Sequence, residues 1–267
     1  MKHLAVAFAG FCWFAAATVP ARAQSKSEPA AEPEPAASMA AEDRRGFELM
    51  LRPGYGSAGD KSPVVYEPAG LAVLANPPGS GDVYGGKSGI YGGGFAGDVS
   101  AGYRFLPFMS AGVYAEMRSS SAKDPKDDTT DLSRSAWGTG FYVRGYLPTL
   151  HEKIDPWVSL GVGYVQDTQT YKRAVTGSAE WTLRHHGVAV PLGLGVDYRV
   201  ADFFAVGPSF RYSFVNQAGG CLEVSALTAL GSATNKQCTD ADEFRRITKT
   251  NSYGAWSVGL DLRLTLH

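Results

Sequence analysis

Large apolar residues alternate with small or polar residues along two neighbouring stretches of this 267-residue chain. The first stretch covers residues 188–199, and the alternation restarts at Phe204 and continues to Phe214. A period of two residues is typical of a β-strand with one apolar face. The short break at residues 200–202 therefore predicts a β-hairpin.

The two faces of this hairpin differ in a way that indicates a lipid environment. One face carries valine, leucine, phenylalanine and tyrosine, and the other is dominated by glycine, serine, aspartate and arginine. Each arm is long enough to cross a bilayer as a tilted strand, with aromatic residues near both ends of its apolar row. Strands cross a bilayer only in a closed barrel, because an open sheet edge leaves backbone groups unpaired in hydrocarbon. The chain is therefore expected to contain more such strands.

The same alternation recurs along the chain and gives eight predicted strands in total. They cover residues 46–56, 94–105, 109–118, 137–147, 158–164, 188–199, 204–214 and 253–266. Their connections alternate between long and short, as in an antiparallel up-and-down barrel with both termini in the periplasm. The predicted fold is therefore all-β, a closed antiparallel eight-stranded transmembrane β-barrel.

Polar stretches between the strands are predicted as surface loops outside the cell. They cover residues 57–89, 119–134, 166–180 and 215–249. Segments 64–74 and 174–183 could lengthen strands or add a pair, so ten strands are the alternative prediction.

The N-terminal region predicts export. A basic start, an apolar run over residues 4–19 and the small-x-small site at residues 21–23 predict a cleaved signal peptide over residues 1–23. Residues 24–43 are rich in Ala, Pro and Glu and are predicted to be a disordered periplasmic lead. The barrel is then expected over residues 44–267.

Composition agrees with this prediction. The chain has 32 glycines, 13 tyrosines and 13 phenylalanines, which suit small lumen residues and an aromatic girdle. The balance of 25 basic against 26 acidic residues gives no indication of a nucleic-acid partner.

The layout resembles the small outer-membrane β-barrels of Gram-negative bacteria, the family of the OmpA membrane domain and OmpX, over about residues 44–267. The last strand carries residues that resemble the family's C-terminal assembly signal, namely Ser257, Gly259, Leu262 and Leu264. The resemblance implies location in the outer membrane and contact with its lipid and lipopolysaccharide. It also implies a folding partner, the barrel-insertion machinery.

Charged residues of both signs fall on the predicted lumen face of the strands. They are Glu48, Arg52, Asp98, Arg104, Glu116, Arg118, Arg144, Asp197, Arg199, Arg211, Asp261 and Arg263. An eight-stranded barrel is just wide enough for side chains to fill it, so these residues are expected to form a packed polar core. The alternative is a narrow pore. Glu48 and Arg263 are expected to pair, because the first and last strands become neighbours when the barrel closes.

Cys221 and Cys238 are the only cysteines left after signal-peptide removal. The exported context favours a disulfide between them, and a metal site is not expected because no histidine lies near either cysteine in sequence.

No catalytic residue or cofactor is predicted. His185 and His186 are adjacent, so they point to opposite faces of a strand. His186 with Ser178 or Glu180 would resemble a lipid-modifying barrel enzyme, but the expected local signature is absent. Glycines at positions 92, 94 and 97 match a dinucleotide fingerprint by chance, since they open a strand instead of a helix.

The sequence therefore predicts a non-enzymatic integral outer-membrane barrel with a structural role or a surface-loop interaction role. The ligand of the loops is not identified. A narrow pore for ions or small solutes is the alternative, and a lipid-modifying enzyme is a remote one.

Overall fold

The structure, a computed structural model, describes residues 45–58, 93–124, 127–148, 151, 153–173, 179–228, 231–240 and 252–266. These residues form nine strands: β1 (Gly46–Ala58), β2 (Gly94–Leu106), β3 (Met109–Asp124), β4 (Asp127–Tyr146), β5 (Ile154–Arg173), β6 (Ala179–Ala201), β7 (Phe204–Thr228), β8 (Gly231–Asp240) and β9 (Ser252–Leu266). The predicted signal peptide, the predicted lead and segment 64–74 lie outside the described residues.

Among the described residues, no helix is long and apolar enough to span a membrane.

Eight of the strands close into a ring. Consecutive strands from β1 to β7 pair antiparallel, β7 pairs with β9, and β9 pairs back with β1. The predicted closed eight-stranded antiparallel barrel is confirmed, and the ten-stranded alternative is wrong. β8 stands outside the ring, because it pairs with β7 over residues 219–228, beyond the part of β7 that pairs with β9.

The barrel has an apolar exterior and a charged interior. Phe47 is 66 % exposed and Phe141 is 69 % exposed, whereas Glu48, beside Phe47 in the chain, is 1 % exposed. Alternation along each strand produces this contrast, because successive side chains point to opposite faces. Such continuous apolar exposure is typical of a surface covered by lipid.

Aromatic side chains border the outward apolar surface, here called the lipid band, at both ends. At the end of the barrel where β1 begins and β9 ends, here called the terminal end, the rings of Phe47 and Tyr103 lie 5.2 Å apart. At the opposite end, the hairpin end, Trp137 lies 5.6 Å from Tyr164. The membrane-spanning segments end at these rims, since aromatic belts lie at headgroup depth.

Several strands continue far beyond the hairpin-end rim. β4 to β7 contain 20 to 25 residues each, whereas about 9–11 residues suffice to cross a bilayer. The predicted loops 119–134, 166–180 and 215–249 are therefore wrong over much of their length: β3 and β4 fill most of the first, β5 and β6 most of the second, and β7 and β8 part of the third. The described part of segment 174–183 lengthens β6.

The physical reason is that these extensions meet water outside the lipid band. Their outward face no longer needs apolar residues, so alternation disappears from the sequence while the backbone ladder continues. We refer to the extensions of β3 to β7 beyond the rim, together with β8, as the wall.

Candidate functional site

The terminal end of the lumen contains a dense ionic group. Glu48 and Arg263, from the two strands that close the ring, approach to 3.4 Å, and Arg263 also donates to Asp155 at 2.9 Å. Tyr146 donates its hydroxyl hydrogen to Glu48 at 2.8 Å. Arg199 donates to Asp155 at 3.1 Å. Asp155 was missed in the sequence because Asp155-Pro156 reads as a turn, whereas β5 already begins at Ile154.

A second set of contacts extends this group across the barrel. The guanidinium of Arg144 lies 3.8 Å above the ring of Trp157, and one of its nitrogens lies 3.6 Å from Asp261. The indole of Trp157 donates to Asp197 at 3.1 Å, and Asp197 lies 3.4 Å from Arg263. Glycine makes room for these large side chains, since a Cβ on Gly195 would lie 2.6 Å from the indole.

The middle of the lumen holds a second ionic group. Arg211 reaches both Asp98, at 3.3 Å, and Glu116, at 3.2 Å. Arg52 forms an ion pair with Asp98 at 2.5 Å, and Arg118 donates to Glu116 at 2.9 Å. These contacts join β1, β2, β3 and β7 across the interior.

An apolar layer lies on one side of the lumen above the middle group. It consists of Val165, Ala189, Val215, Tyr253 and Ala255. Along β9, Ala255 lies between Ser257, which accepts a hydrogen bond from Arg52, and Tyr253. The layer therefore lies between the middle group and a third polar group at the hairpin end, and it separates the two on that side of the barrel.

A third polar group closes the hairpin end. Arg134 donates to both carboxylate oxygens of Asp167, at 3.0 and 2.9 Å, and Tyr253 donates to Asp167 at 3.0 Å. His185 lies 3.8 Å from Asp167 and 3.5 Å from Gln169. The roles of Arg134, Asp167 and Gln169 were not predicted, because residues 119–134 and 166–180 read as loops. One signal in the sequence could have identified them. Arg134 lies two positions before Ala136, and Asp167 lies two positions after Val165, so each continues the inward-facing series of its strand.

This hairpin-end group lies beyond the lipid band. Asp167 follows the rim residue Tyr164 by three positions, and His185 pairs with Asp167 across β5 and β6. Burial lowers the pKa of His185 to about 4, although Asp167 acts in the opposite direction. Burial also opposes ionisation of Asp167, but Arg134 outweighs it and holds the pKa of that carboxyl below its usual range. An uncharged His185 thus sits beside an ionised Asp167 at neutral pH.

All the predicted lumen charges lie on the inner face of the barrel. Each of the most deeply buried charged side chains contacts several partners. Most are at most 9 % exposed, while Arg118 and Arg199 are only partly buried. A cavity near the hairpin end has a volume of about 20 Å³ and is lined by Gly56, Phe95, Arg118, Arg134 and Asp167, among others. That volume suits about one water molecule.

The two histidines take opposite positions. His185 is buried in the lumen, whereas His186 is exposed and stacks on Tyr164 at 6.1 Å. Glu180 is six positions from His186 on one strand, about 20 Å away at the rise of a β-strand. They therefore do not share a reaction centre, and Ser178 lies outside the described residues.

The predicted disulfide between Cys221 and Cys238 is confirmed. The two cysteines are directly opposite each other in the β7–β8 ladder, with Cα atoms 4.0 Å apart. The bond therefore fastens β8 to the part of β7 that stands beyond the ring.

The proposed assembly residues Ser257, Gly259, Leu262 and Leu264 all lie on β9, the strand that closes the ring between β7 and β1. Ser257 faces the lumen, and Leu264 faces outward.

Comparisons with known proteins agree with this architecture. The sequence profile of a family described as outer membrane protein beta-barrel domain matches residues 35–263. No curated protein matches the chain.

Three solved structures illustrate the likeness in fold. A major outer membrane protein from Thermus thermophilus is 12 % identical, with a TM-score of 0.50, covering 82 % of this chain and 99 % of that one. Neisserial surface protein A is 14 % identical, with a TM-score of 0.43 and coverage of 83 % and 97 %. OprG from Pseudomonas aeruginosa is 12 % identical, with a TM-score of 0.42 and coverage of 84 % and 98 %. At these identities the likeness concerns the fold alone. With its profile match spanning most of the sequence and its closed eight-stranded ring, the chain belongs to the outer membrane protein beta-barrel domain family.

Proposed function

We propose that this chain is a non-enzymatic barrel of the Gram-negative outer membrane whose function resides in the wall at its hairpin end, as a structural or binding surface. The observation that carries the proposal is the filled lumen. Ionic groups occupy its terminal end, its middle and its hairpin end, and most of the charged side chains in them are buried.

The proposed orientation places both termini in the periplasm and the wall outside the cell. Short turns join the strands at the terminal end, at residues 107–108 and 202–203. Barrels of this class have short periplasmic turns and longer extracellular connections. The disulfide in the wall suits an oxidising compartment.

Orientation is tested by labelling intact cells with a membrane-impermeant maleimide. Ser121 is exposed in the wall, and Lys153 is exposed at the terminal end, so Ser121→Cys and Lys153→Cys form a matched pair. Ser121→Cys is expected to react in intact cells, and Lys153→Cys only after the outer membrane is permeabilised. The reverse pattern contradicts the orientation.

A filled lumen argues against a pore. An ion passing the middle group would have to separate Arg211 from Asp98 and Glu116, and breaking a buried pair typically costs about 3–5 kcal/mol. In planar bilayers, the refolded protein is expected to give no steady single-channel steps, under conditions in which a general-diffusion porin does. Steady steps would instead support the narrow-pore alternative.

The lipid-modifying alternative has a separate test. Mass spectra of lipid A from cells with and without the protein are expected to be identical. A new lipid A species that depends on expression would contradict the non-enzymatic proposal.

A further inference from the structure

The outer surface of β4, β5 and β6 carries an aromatic strip where the lipid band ends. Trp137 lies 5.6 Å from Tyr164, and Tyr164 stacks on His186 at 6.1 Å with an interplanar angle of 26°. Trp137 is 49 % exposed, and the side chains of Tyr164 and His186 are also exposed. The strip therefore presents ring surface at the depth where lipid headgroups begin.

A row of hydrogen-bonding side chains lies directly beyond this strip. Ser135 pairs with Thr168 across β4 and β5, and Thr168 pairs with Arg184 across β5 and β6. All three occupy outward positions, and the side chain of Arg184 is 51 % exposed. Ser133, Thr170 and Thr182 form the next row in the same register. Three adjacent strands thus present an array of hydroxyl groups, with the guanidinium of Arg184 among them, about 10 Å wide.

The six side chains Ser135, Trp137, Tyr164, Thr168, Arg184 and His186 define what we call the rim patch. We propose that the rim patch binds the phosphorylated sugar headgroup of a glycolipid in the outer leaflet. This inference rests on the proposed orientation, which places the patch at the cell surface.

The chemistry of the patch favours a sugar phosphate. Aromatic rings pack against the C–H face of a sugar ring, and the hydroxyl row can exchange hydrogen bonds with sugar hydroxyls. A guanidinium binds phosphate oxygens through two parallel hydrogen bonds. A phospholipid headgroup such as that of phosphatidylglycerol, which brings a phosphate and no sugar ring, would leave the aromatic strip unused.

The position of the patch favours a lipid as the occupant. It continues the lipid band without a break, since Val188 lies two residues after His186 on the same outward face of β6 and its side chain is exposed. A ligand anchored in the bilayer by acyl chains would therefore place its headgroup on the patch.

Glu223 of β7 provides an internal competitor. Its carboxylate lies 4.0 Å from the guanidinium of Arg184. A phosphate that binds the guanidinium of Arg184 competes with this carboxylate. Glu223→Gln is therefore expected to strengthen phosphate binding, whereas loss of the arginine is expected to weaken it. A merely structural role of Arg184 would not give opposite effects from these two changes.

The opposite side of the barrel offers a matched control. Tyr55 and Trp256, on β1 and β9, form an aromatic pair 6.3 Å apart at the same rim. In the ring order, β1 is four strands from β5 in either direction. Tyr55→Ala therefore matches Tyr164→Ala in chemistry and rim position, but changes a residue outside the rim patch.

The experiment measures retention of diphosphoryl lipid A by the full-length barrel, refolded in detergent micelles, by native mass spectrometry. Dephosphorylated lipid A and phosphatidylglycerol serve as comparison lipids. The wild-type barrel and Tyr55→Ala are expected to retain one diphosphoryl lipid A and to bind phosphatidylglycerol much more weakly. Tyr164→Ala is expected to weaken retention relative to its matched control Tyr55→Ala. Arg184→Gln combined with Ser135→Ala is expected to weaken retention by roughly tenfold or more, as for the loss of a charge-assisted hydrogen bond. Glu223→Gln is expected to strengthen it.

Two results would overturn the rim patch. Equal retention by Tyr55→Ala and Arg184→Gln/Ser135→Ala would mean adsorption through acyl chains only, and equal retention of phosphatidylglycerol would mean recognition of phosphate without sugar. The micelle assay does not depend on orientation, and the maleimide labelling of intact cells does not depend on lipid binding. Failure of the site and failure of the proposed orientation are therefore distinguishable.

Discussion

At the scale of single residues, the lumen is stable because each buried charge has several partners. A buried ion pair loses its hydration, and the loss is repaid only when geometry is good and the remaining polar atoms are bonded. Arg263 contacts Glu48, Asp155 and Asp197, and Arg211 contacts two carboxylates. Sharing of this kind offsets part of the desolvation of the group, and removal of one member affects several others.

Glu48→Ala tests this at the terminal end. The change leaves Arg263 with its two aspartates but removes the acceptor of the Tyr146 hydroxyl, so a destabilisation of about 3 kcal/mol is expected, the lower part of the range for a broken buried pair. The measurement is the unfolding temperature in detergent, followed by circular dichroism. Lys153→Ala, at an exposed position of the same end, serves as the control. An unfolding temperature equal to that of the wild-type barrel would show that Glu48 does not stabilise the barrel.

His185 predicts a pH dependence at the hairpin end. Its pKa is about 4 in the folded barrel, against an ordinary value of 6.5. The unfolded chain therefore takes up a proton first, so this residue's contribution to stability is complete above pH 6.5 and is lost as the pH falls towards 4. At pH 5 the loss is about 2 kcal/mol.

The measurement is the drop in unfolding temperature between pH 7 and pH 5. His185→Gln is expected to show a smaller drop than the wild-type barrel, because the buried group that must stay neutral is gone. His186→Gln, which changes the exposed neighbour, is expected to retain the full drop. An equal drop in both variants contradicts the assignment to His185.

At the scale of elements, the sequence predicted strands wherever lipid imposes a pattern. The outward residues Val188 to Tyr198 must be apolar, so alternation in β6 is visible without coordinates. In the wall both faces meet water or polar neighbours, so residues such as Thr182 and Ser133 occupy strand positions without a periodic signal. Arg134 and Asp167 form a buried pair that reads as loop composition for this reason. Which carboxylate meets which arginine depends on strand tilt and stagger, which alternation does not encode.

The β7–β8 hairpin depends on its disulfide in a way that can be measured. β8 pairs with β7 alone among the described strands, and Cys221–Cys238 links the two strands near the end of their ladder that lies away from their connection. Closing a loop of this size stabilises by about 3 kcal/mol in the chain-entropy model. Hydrogen exchange is therefore expected to accelerate in β8 and in residues 219–228 after reduction, while residues 204–216 keep their protection because β9 still pairs with them. Uniform acceleration along all of β7 would contradict this separation.

At the scale of the whole molecule, the barrel and the wall have different physical requirements. The barrel needs an apolar exterior, a filled interior and complete backbone pairing, and these conditions leave little freedom in the membrane-spanning segments. The wall needs only to continue the ladder. Fold and location therefore follow from the lipid-facing pattern, whereas the binding partner depends on wall residues that this pattern does not constrain.

This division predicts that the barrel folds with a shortened wall. In one variant, residues 121–133 are replaced by Asn-Gly, which joins Ser120 to its register partner Arg134, and residues 170–182 are replaced in the same way between Gln169 and Leu183. Asn-Gly suits a two-residue hairpin turn. The Arg134–Asp167 contact and the ionic groups of the lumen are retained, so the shortened protein is expected to keep heat-modifiable migration on gels and a β-rich circular dichroism spectrum.

The matched control changes the lipid band instead. Leu192→Asp combined with Leu194→Asp alters only two outward side chains of β6, yet each places a charge against hydrocarbon, at a cost that is greatest near the bilayer midplane. This variant is expected to fail to insert into vesicles that accept the shortened barrel. If the shortened barrel fails instead and the Leu192→Asp/Leu194→Asp variant inserts, the wall is required for folding. The wall would then be part of the folding scaffold. Its residues could no longer be assigned to binding by the argument that the barrel folds without them.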